Sequence, residues 1–263
     1  MLLIGDTYFN EVCEDYKRSI VTSTYKYPDE LFDAHSYQKG AWIIHMLRHI
    51  IGEENFKLSL KNYLTKYRDL NIDTEDFRNL LEETSNKNLQ DFFQQWVYQD
   101  GHPELEFEYS PDDNKITITQ KQERPFDFFI DLKIVLNNDD SKIYSLHISK
   151  DKNIFVLSTL ENKATLDNIK WISIDPELKI LKNLLEYKSS FRLLSNQIQN
   201  GKTIVERIQG IIRLTSIEIN RTELNELIQI LKDRLLNDEF YGVSILADFY
   251  SVQLKLLLHL IYF

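Results

Sequence analysis

Over the first hundred residues, apolar positions recur at intervals of three and four. Ile43, Ile44, Leu47, Ile50 and Ile51 predict an amphipathic helix from Gln38 to Ile51, ended by Gly52. Phe56, Leu60, Tyr63, Leu64 and Tyr67 place one apolar face on a helix over Glu53–Tyr67. Thr74 is the expected cap of a third, with Glu75 and Asp76 where carboxylates complement the helix dipole. Asn88 is the expected cap of a fourth, whose face is Leu89, Phe92, Phe93 and Trp96. Earlier, Met1 to Tyr16 has mixed helical character and Pro28-Asp29 marks a turn. Gly101 and Pro103 stop the helical pattern.

From Pro103 the period becomes two. Leu105, Phe107 and Tyr109 alternate with glutamates, and Pro111 to Asn114 reads as a turn before Ile116 and Ile118. Further strands are expected at Phe128–Leu136, Lys142–Ile148, Ile154–Leu157 and Lys170–Ile174. Short strands at this spacing predict a small β-sandwich. After Pro176, apolar stripes at Leu184–Leu194, Ile204–Leu214 and Leu224–Leu235 predict helices again, with Asn237 to Ser244 as an inter-helix turn. The chain therefore reads as mixed α and β with several domains: helical 1–102, a β-sandwich at 103–175, and helical 176–263.

Composition narrows the function classes. A net charge of -10 excludes a general nucleic-acid or anionic-membrane binder, because neutralising phosphates needs clustered Lys and Arg. The single cysteine, Cys13, excludes an internal disulfide and a cysteine-based zinc cluster, which fits a reducing, cytoplasmic setting. No signal peptide is evident, and the apolar run SVQLKLLLHLIYF is too short to span a bilayer. It reads as a helix whose packing partner is missing.

The run FDAHSYQKG at Phe32–Gly40 resembles the "FD-x-x-x-Y-x-K-G" segment of the zinc aminopeptidases related to aminopeptidase N and leukotriene-A hydrolase. The likeness extends to Tyr16, Arg18, Ile20, Val21 and Thr22 before it. It continues through Gly52, Phe56, Thr74, Asp76 and Phe77, then through Asp91, Phe92, Phe93, Gln95 and Trp96 to Gly101, His102 and Pro103. The resemblance implies the distal helical half of a thermolysin-like catalytic domain, then a small β-sandwich, then the start of HEAT-like helical repeats. It also implies that Tyr37 hydrogen-bonds the oxyanion formed when zinc-bound water attacks the first peptide bond of a peptide substrate.

The family's metal motif, HExxH, does not occur in this sequence. The expectation is a chain without a catalytic metal site or cofactor of its own, a partial aminopeptidase inactive alone, with Met1 an internal methionine of a longer protein. A chain carrying the zinc half is the candidate partner, and apolar surface at Ile43, Leu47 and 251–263 would suit it. The alternative is a non-catalytic aminopeptidase-like scaffold that binds protein. His45 and His49 have the i, i+4 spacing of zinc ligands, but Met46 stands where a general base is needed and Arg48 lies beside them. They read as adventitious, and no metal ligand is assigned. Lys39 reads as a surface charge at a helix start. Glu82-Glu83 and Asp139-Asp140 read as solvated carboxylates, and the Phe92/Phe93/Trp96 stripe as core.

Overall fold

In the computed structural model, residues 2–12, 16–157, 168–217 and 219–261 are described. Cys13 lies outside them. The chain divides into two compact units, residues 1–103 with 178–183, and residues 104–177 with 184–263.

The first unit is helical. Helix α1 (Leu2–Val12) buries Tyr8 and Val12. After an extended approach, a 3₁₀ turn at Pro28–Leu31 leads to a single π-helical turn, His35–Lys39, which runs directly into α2 (Gly40–Ile51). The expected helix start at Gln38 is thus a wider turn beginning three residues earlier. Helix α2 buries Trp42, Ile43, Met46, Leu47 and Ile51. Ile43 and Leu47 are therefore core, not the exposed surface expected for a partner; each such burial is worth about 1.5–3 kcal/mol. Gly52 ends the helix at φ +85°, a backbone state that side chains disfavour.

Helix α3 (Glu53–Lys66) buries Phe56 and Ser59 and packs against α4 (Thr74–Ser85), while Leu64, expected on its apolar face, is exposed. Asp73, not Thr74, caps α4: its carboxylate accepts from the Asp76 N–H and Asp76 returns the bond to the Asp73 N–H. Asp precedes Thr here and has the extended backbone a cap requires, so Thr74 becomes the first helical residue. Asn88 accepts from the Gln90 N–H at the start of α5 (Gln90–Phe93), which widens into a second π-helical turn, Gln94–Tyr98. Phe93 and Trp96 are core. Glu82 is no free surface charge: it accepts from the Leu89 N–H.

The second unit holds two sheets. One has the order β5-β2-β1-β7, with β1 (Glu104–Ser110), β2 (Lys115–Gln120), β5 (Lys152–Val156) and β7 (Asn183–Lys188). The other has the order β4-β3-β6, with β3 (Phe128–Leu136), β4 (Ser141–Ile148) and β6 (Ile169–Ile174). Phe107 lies opposite Ile118, and Leu132 lies between Tyr144 and Ile174. The alternation of the sequence becomes burial: Leu105, Phe107 and Tyr109 point inward, as do Phe128, Ile130, Leu132 and Ile134. Asn114, at φ +52°, closes the predicted turn after Pro111. The stripe expected to be helical from Leu184 begins as strand β7, because an open edge of β1 takes up its backbone groups. Tyr187 on β7 stacks on Phe107 and donates its hydroxyl to the Ile172 carbonyl on β6.

Helix α6 (Phe191–Asn200) packs on β6 and on α7 (Ile204–Ile212), and α8 (Arg221–Asn237) on α9 (Tyr241–Ile261). Ser190, Thr203 and Asn220 cap the first three. Glu206 of the α7 capping box is fully buried and pairs with Lys133 at 2.6 Å. Among the described residues, no helix is long and apolar enough to cross a membrane.

Candidate active site

Tyr37 lies in the middle of the π-helical turn, with His35 and Lys39 buried on either side of it. Its own ring is 56% exposed and lies 6.1 Å from the ring of Phe32, itself 70% exposed. The turn forms because Ala34 accepts from both the Gln38 and Lys39 N–H groups, at 3.0 and 2.8 Å. Such wide turns often occur at functional positions.

The turn is held from beneath by charge. The Arg18 guanidinium grips Asp33 through Nε at 2.7 Å and Nη2 at 2.5 Å, and also donates to Ser36 Oγ and the Ser19 and Ile20 carbonyls. Asp33 in turn accepts from the Ser36 N–H and the Tyr16 hydroxyl. Burial pushes the Asp33 carboxyl up, but Arg18 and the Ser36 N–H outweigh it and hold it below its ordinary value. Glu11 of α1 accepts from the Ala34 N–H and faces His35 Nδ1 at 3.0 Å. Burial keeps the His35 imidazole below its ordinary pKa against the pull of Asp33 and Glu11.

Lys39 is fully buried, which corrects the expectation of a surface charge. Its Nζ reaches the Gln99 carbonyl at 3.4 Å. Burial brings its pKa down to about 8, with Asp100 opposing and Arg18 adding to the shift. His102 is buried too, with Nδ1 3.3 Å from the Tyr8 hydroxyl and no partner for Nε2. Burial, with Lys39 next in effect, brings its pKa down to about 3. The Tyr8 ring meets the His35 and His102 rings edge-on at 5.3 Å. The turn carrying Tyr37 thus rests on buried groups, most of them paired, the support a hydrogen-bond donor needs to keep its place.

Sequence reasoning singled out Tyr37 but not the groups that hold its turn. Arg18 and Asp33 both lay in the quoted motif, but their pairing across fifteen residues had no local signal. Lys39 carried no sign of burial, because burial depends on what folds over it.

Two donor sets bear on a catalytic metal. Glu11, Asp33 and His35 lie close enough to hold an ion. However, Asp33 is bidentate to Arg18, His35 Nε2 faces the Arg18 N–H at 3.4 Å, and the guanidinium opposes a second cation. His45 and His49 bring their Nε2 atoms to 3.2 Å, but Met46, at the general-base position, is buried and cannot act as a base. Neither set fits the zinc centre that the resemblance implies.

The peptidase family M1 domain matches residues 6–96. Aminopeptidase M1-C of Oryza sativa subsp. japonica is 44% identical over 75 residues, 28% of this chain and 8% of that one. Tricorn protease-interacting factor F2 of Thermoplasma volcanium is 27% identical over 251 residues, 81% of this chain and 30% of that one. The crystal structure of Legionella pneumophila aminopeptidase A in complex with aspartic acid superposes with a TM-score of 0.64 at 19% identity, covering 87% of this chain and 28% of that one. The chain spans less than a third of the length of each of these proteins.

Proposed function

We propose, for a chain that belongs to the M1 aminopeptidase family, that it supplies the oxyanion-binding wall of an aminopeptidase active site. The Tyr37 phenol donates a hydrogen bond to the carbonyl oxygen of the first peptide bond of a peptide as negative charge develops on it. A donor held in place before the reaction stabilises the transition state more than the ground state. The observation that carries this reading is the position of Tyr37, outward on a turn whose His35, Ser36 and Lys39 side chains are held by Glu11, Arg18 and the Gln99 carbonyl. The groups that deliver the nucleophile are not among those described, so the chain alone is expected to be inactive toward aminoacyl-naphthylamides. Its place is beside a segment bearing HExxH, in a cytoplasmic setting, with α6–α9 read as the opening of a HEAT-like helical array.

The test is a chimera in which residues 6–96 replace the matching segment of the rice relative. Tyr37→Phe is expected to lower kcat about 10²–10³-fold with KM changed far less. An unchanged kcat overturns the assignment.

A second reading, a protein-binding scaffold, is favoured by one observation. Tyr241, Ile245, Phe249 and Val252 form an exposed apolar stripe along α9. The Thermoplasma relative is named for an interaction with another protein. If the stripe binds protein, Ile245→Glu abolishes concentration-dependent association in light scattering. Association that survives the charge removes this support.

A further inference from the structure

The face of α2 turned away from its buried stripe carries a donor set that the aminopeptidase reading does not use. His45 is half-buried and His49 exposed, one helical turn apart. Their rings are nearly perpendicular, at 81° with centroids 4.6 Å apart, and their Nε2 atoms are 3.2 Å from each other. Two nitrogens bound to one tetrahedral zinc at its usual bond length lie about 3.3–3.4 Å apart. The same pair in a square-planar arrangement would lie about 2.8 Å apart. The observed separation is close to the tetrahedral value.

A third donor is present. The Leu178 carbonyl oxygen lies 3.0 Å from His45 Nε2, within the same unit of the chain. Trp42 lies edge-on to the His45 ring at 5.8 Å. Arg48, the cation beside the pair in sequence, is paired with the carboxylate of Glu53. The charge objection that the sequence raises is therefore largely cancelled.

We propose that His45, His49 and the Leu178 carbonyl form a binding site for a first-row divalent transition ion, separate from peptide hydrolysis, that ties residues 178–183 to α2. Without metal, a single proton on His45 Nε2 serves the Leu178 carbonyl and faces His49 Nε2. On binding, neutral His45 carries its proton on Nδ1 instead, both Nε2 lone pairs turn to the ion, and no net proton is released. With Met46 in place of a base, the site binds an ion and activates no water. The tetrahedral separation favours Zn²⁺ and Co²⁺ over Cu²⁺ and Ni²⁺, which prefer square-planar ligands.

The experiment is calorimetric titration of the full chain with Zn²⁺ and with Co²⁺, alongside His45→Gln, His49→Ala and His147→Ala. His147 is an exposed histidine on β4, paired with Asp127, and serves as the control. One ion per chain is expected for the wild type and for His147→Ala. Either α2 variant is expected to bind at least about tenfold more weakly, because the second donor no longer adds to the first. His45→Gln keeps an N–H for the Leu178 carbonyl, and exposed His49 tolerates alanine, so both variants separate lost binding from lost folding. Absence of one-to-one binding, or binding indifferent to both α2 variants, overturns the site. Hydrogen exchange tests the clip: amides of 178–183 are expected to slow on Zn²⁺ addition in the wild type and not in His49→Ala. Unchanged exchange removes Leu178 from the ligand set.

Discussion

Lys39 and His102 show how burial turns ordinary side chains into titrating elements of stability. In the folded chain the Lys39 amine loses its proton near pH 8, against an ordinary value of 10.5. Between those values the unfolded chain binds more protons, so stability rises with pH across the window. Urea titrations at pH 7.5 and 10.5 should therefore show the wild type gaining on Lys39→Met, by on the order of 3 kcal/mol. A flat difference would mean that the amine is solvated in the folded state. His102 runs in the same direction lower on the scale. Its imidazole stays neutral down to about pH 3, while the unfolded side chain protonates near 6.5. The contribution of the neutral imidazole is complete above pH 6.5 and is lost as pH falls toward 3. His102→Gln should consequently lose less stability than the wild type between pH 6.5 and 4. Arg18 is the other strong case, because removing it leaves Asp33, only 10% exposed, as a buried charge without its partner. Arg18→Ala is expected to cost about 3–5 kcal/mol in chemical unfolding. A loss below 1 kcal/mol would show that Asp33 is open to water.

Among the elements, the cap of α4 allows a direct comparison of neighbours. Asp73→Ala should cost about 1 kcal/mol, whereas Thr74→Ala, one residue inside the helix, should cost much less. Equal costs in thermal unfolding would return the cap to Thr74. At this scale the pattern of apolar residues was a good guide wherever one period held without interruption. Helix α2 and the alternating strands β1 and β3 were legible, whereas the turn expected over Asn237–Ser244 is shorter, α9 beginning at Tyr241. It failed where two periods fit the same residues. Leu184 and Leu185 suit a helix as well as a strand, and an available strand edge settled the matter for β7. The turn at His35–Lys39 was hidden for a related reason. A π-helical turn adds one residue to a helix without changing its composition, and its stability comes from the Glu11, Arg18 and Lys39 contacts beneath it.

Across the whole molecule, two cores carry two separate sets of buried charge. Hydrogen exchange should show Arg18→Ala losing protection mainly within 16–103, and Lys133→Met losing it mainly in β3, β6 and α7, where Glu206 is left unpaired. Loss spread evenly over both units would mean that they unfold as one. Arg213 belongs to the second set: it lies over the Tyr187 ring at 4.3 Å, with burial lowering its pKa. None of these charges announces itself in the chain, since a buried arginine and a solvated one are spelled alike. What could be read from residue order alone was whatever depends on near neighbours: the periods of helix and strand, the turns at Gly52 and Asn114, and a local motif that singled out Tyr37 among fourteen tyrosines. What needed the folded chain was whatever depends on distant neighbours. Ile43 and Leu47 went inward, Lys39 was covered, Arg18 reached Asp33, and the Leu178 carbonyl came to His45 across more than a hundred residues. Burial and charge pairing are properties of surroundings, and those surroundings exist only after the chain has closed on itself.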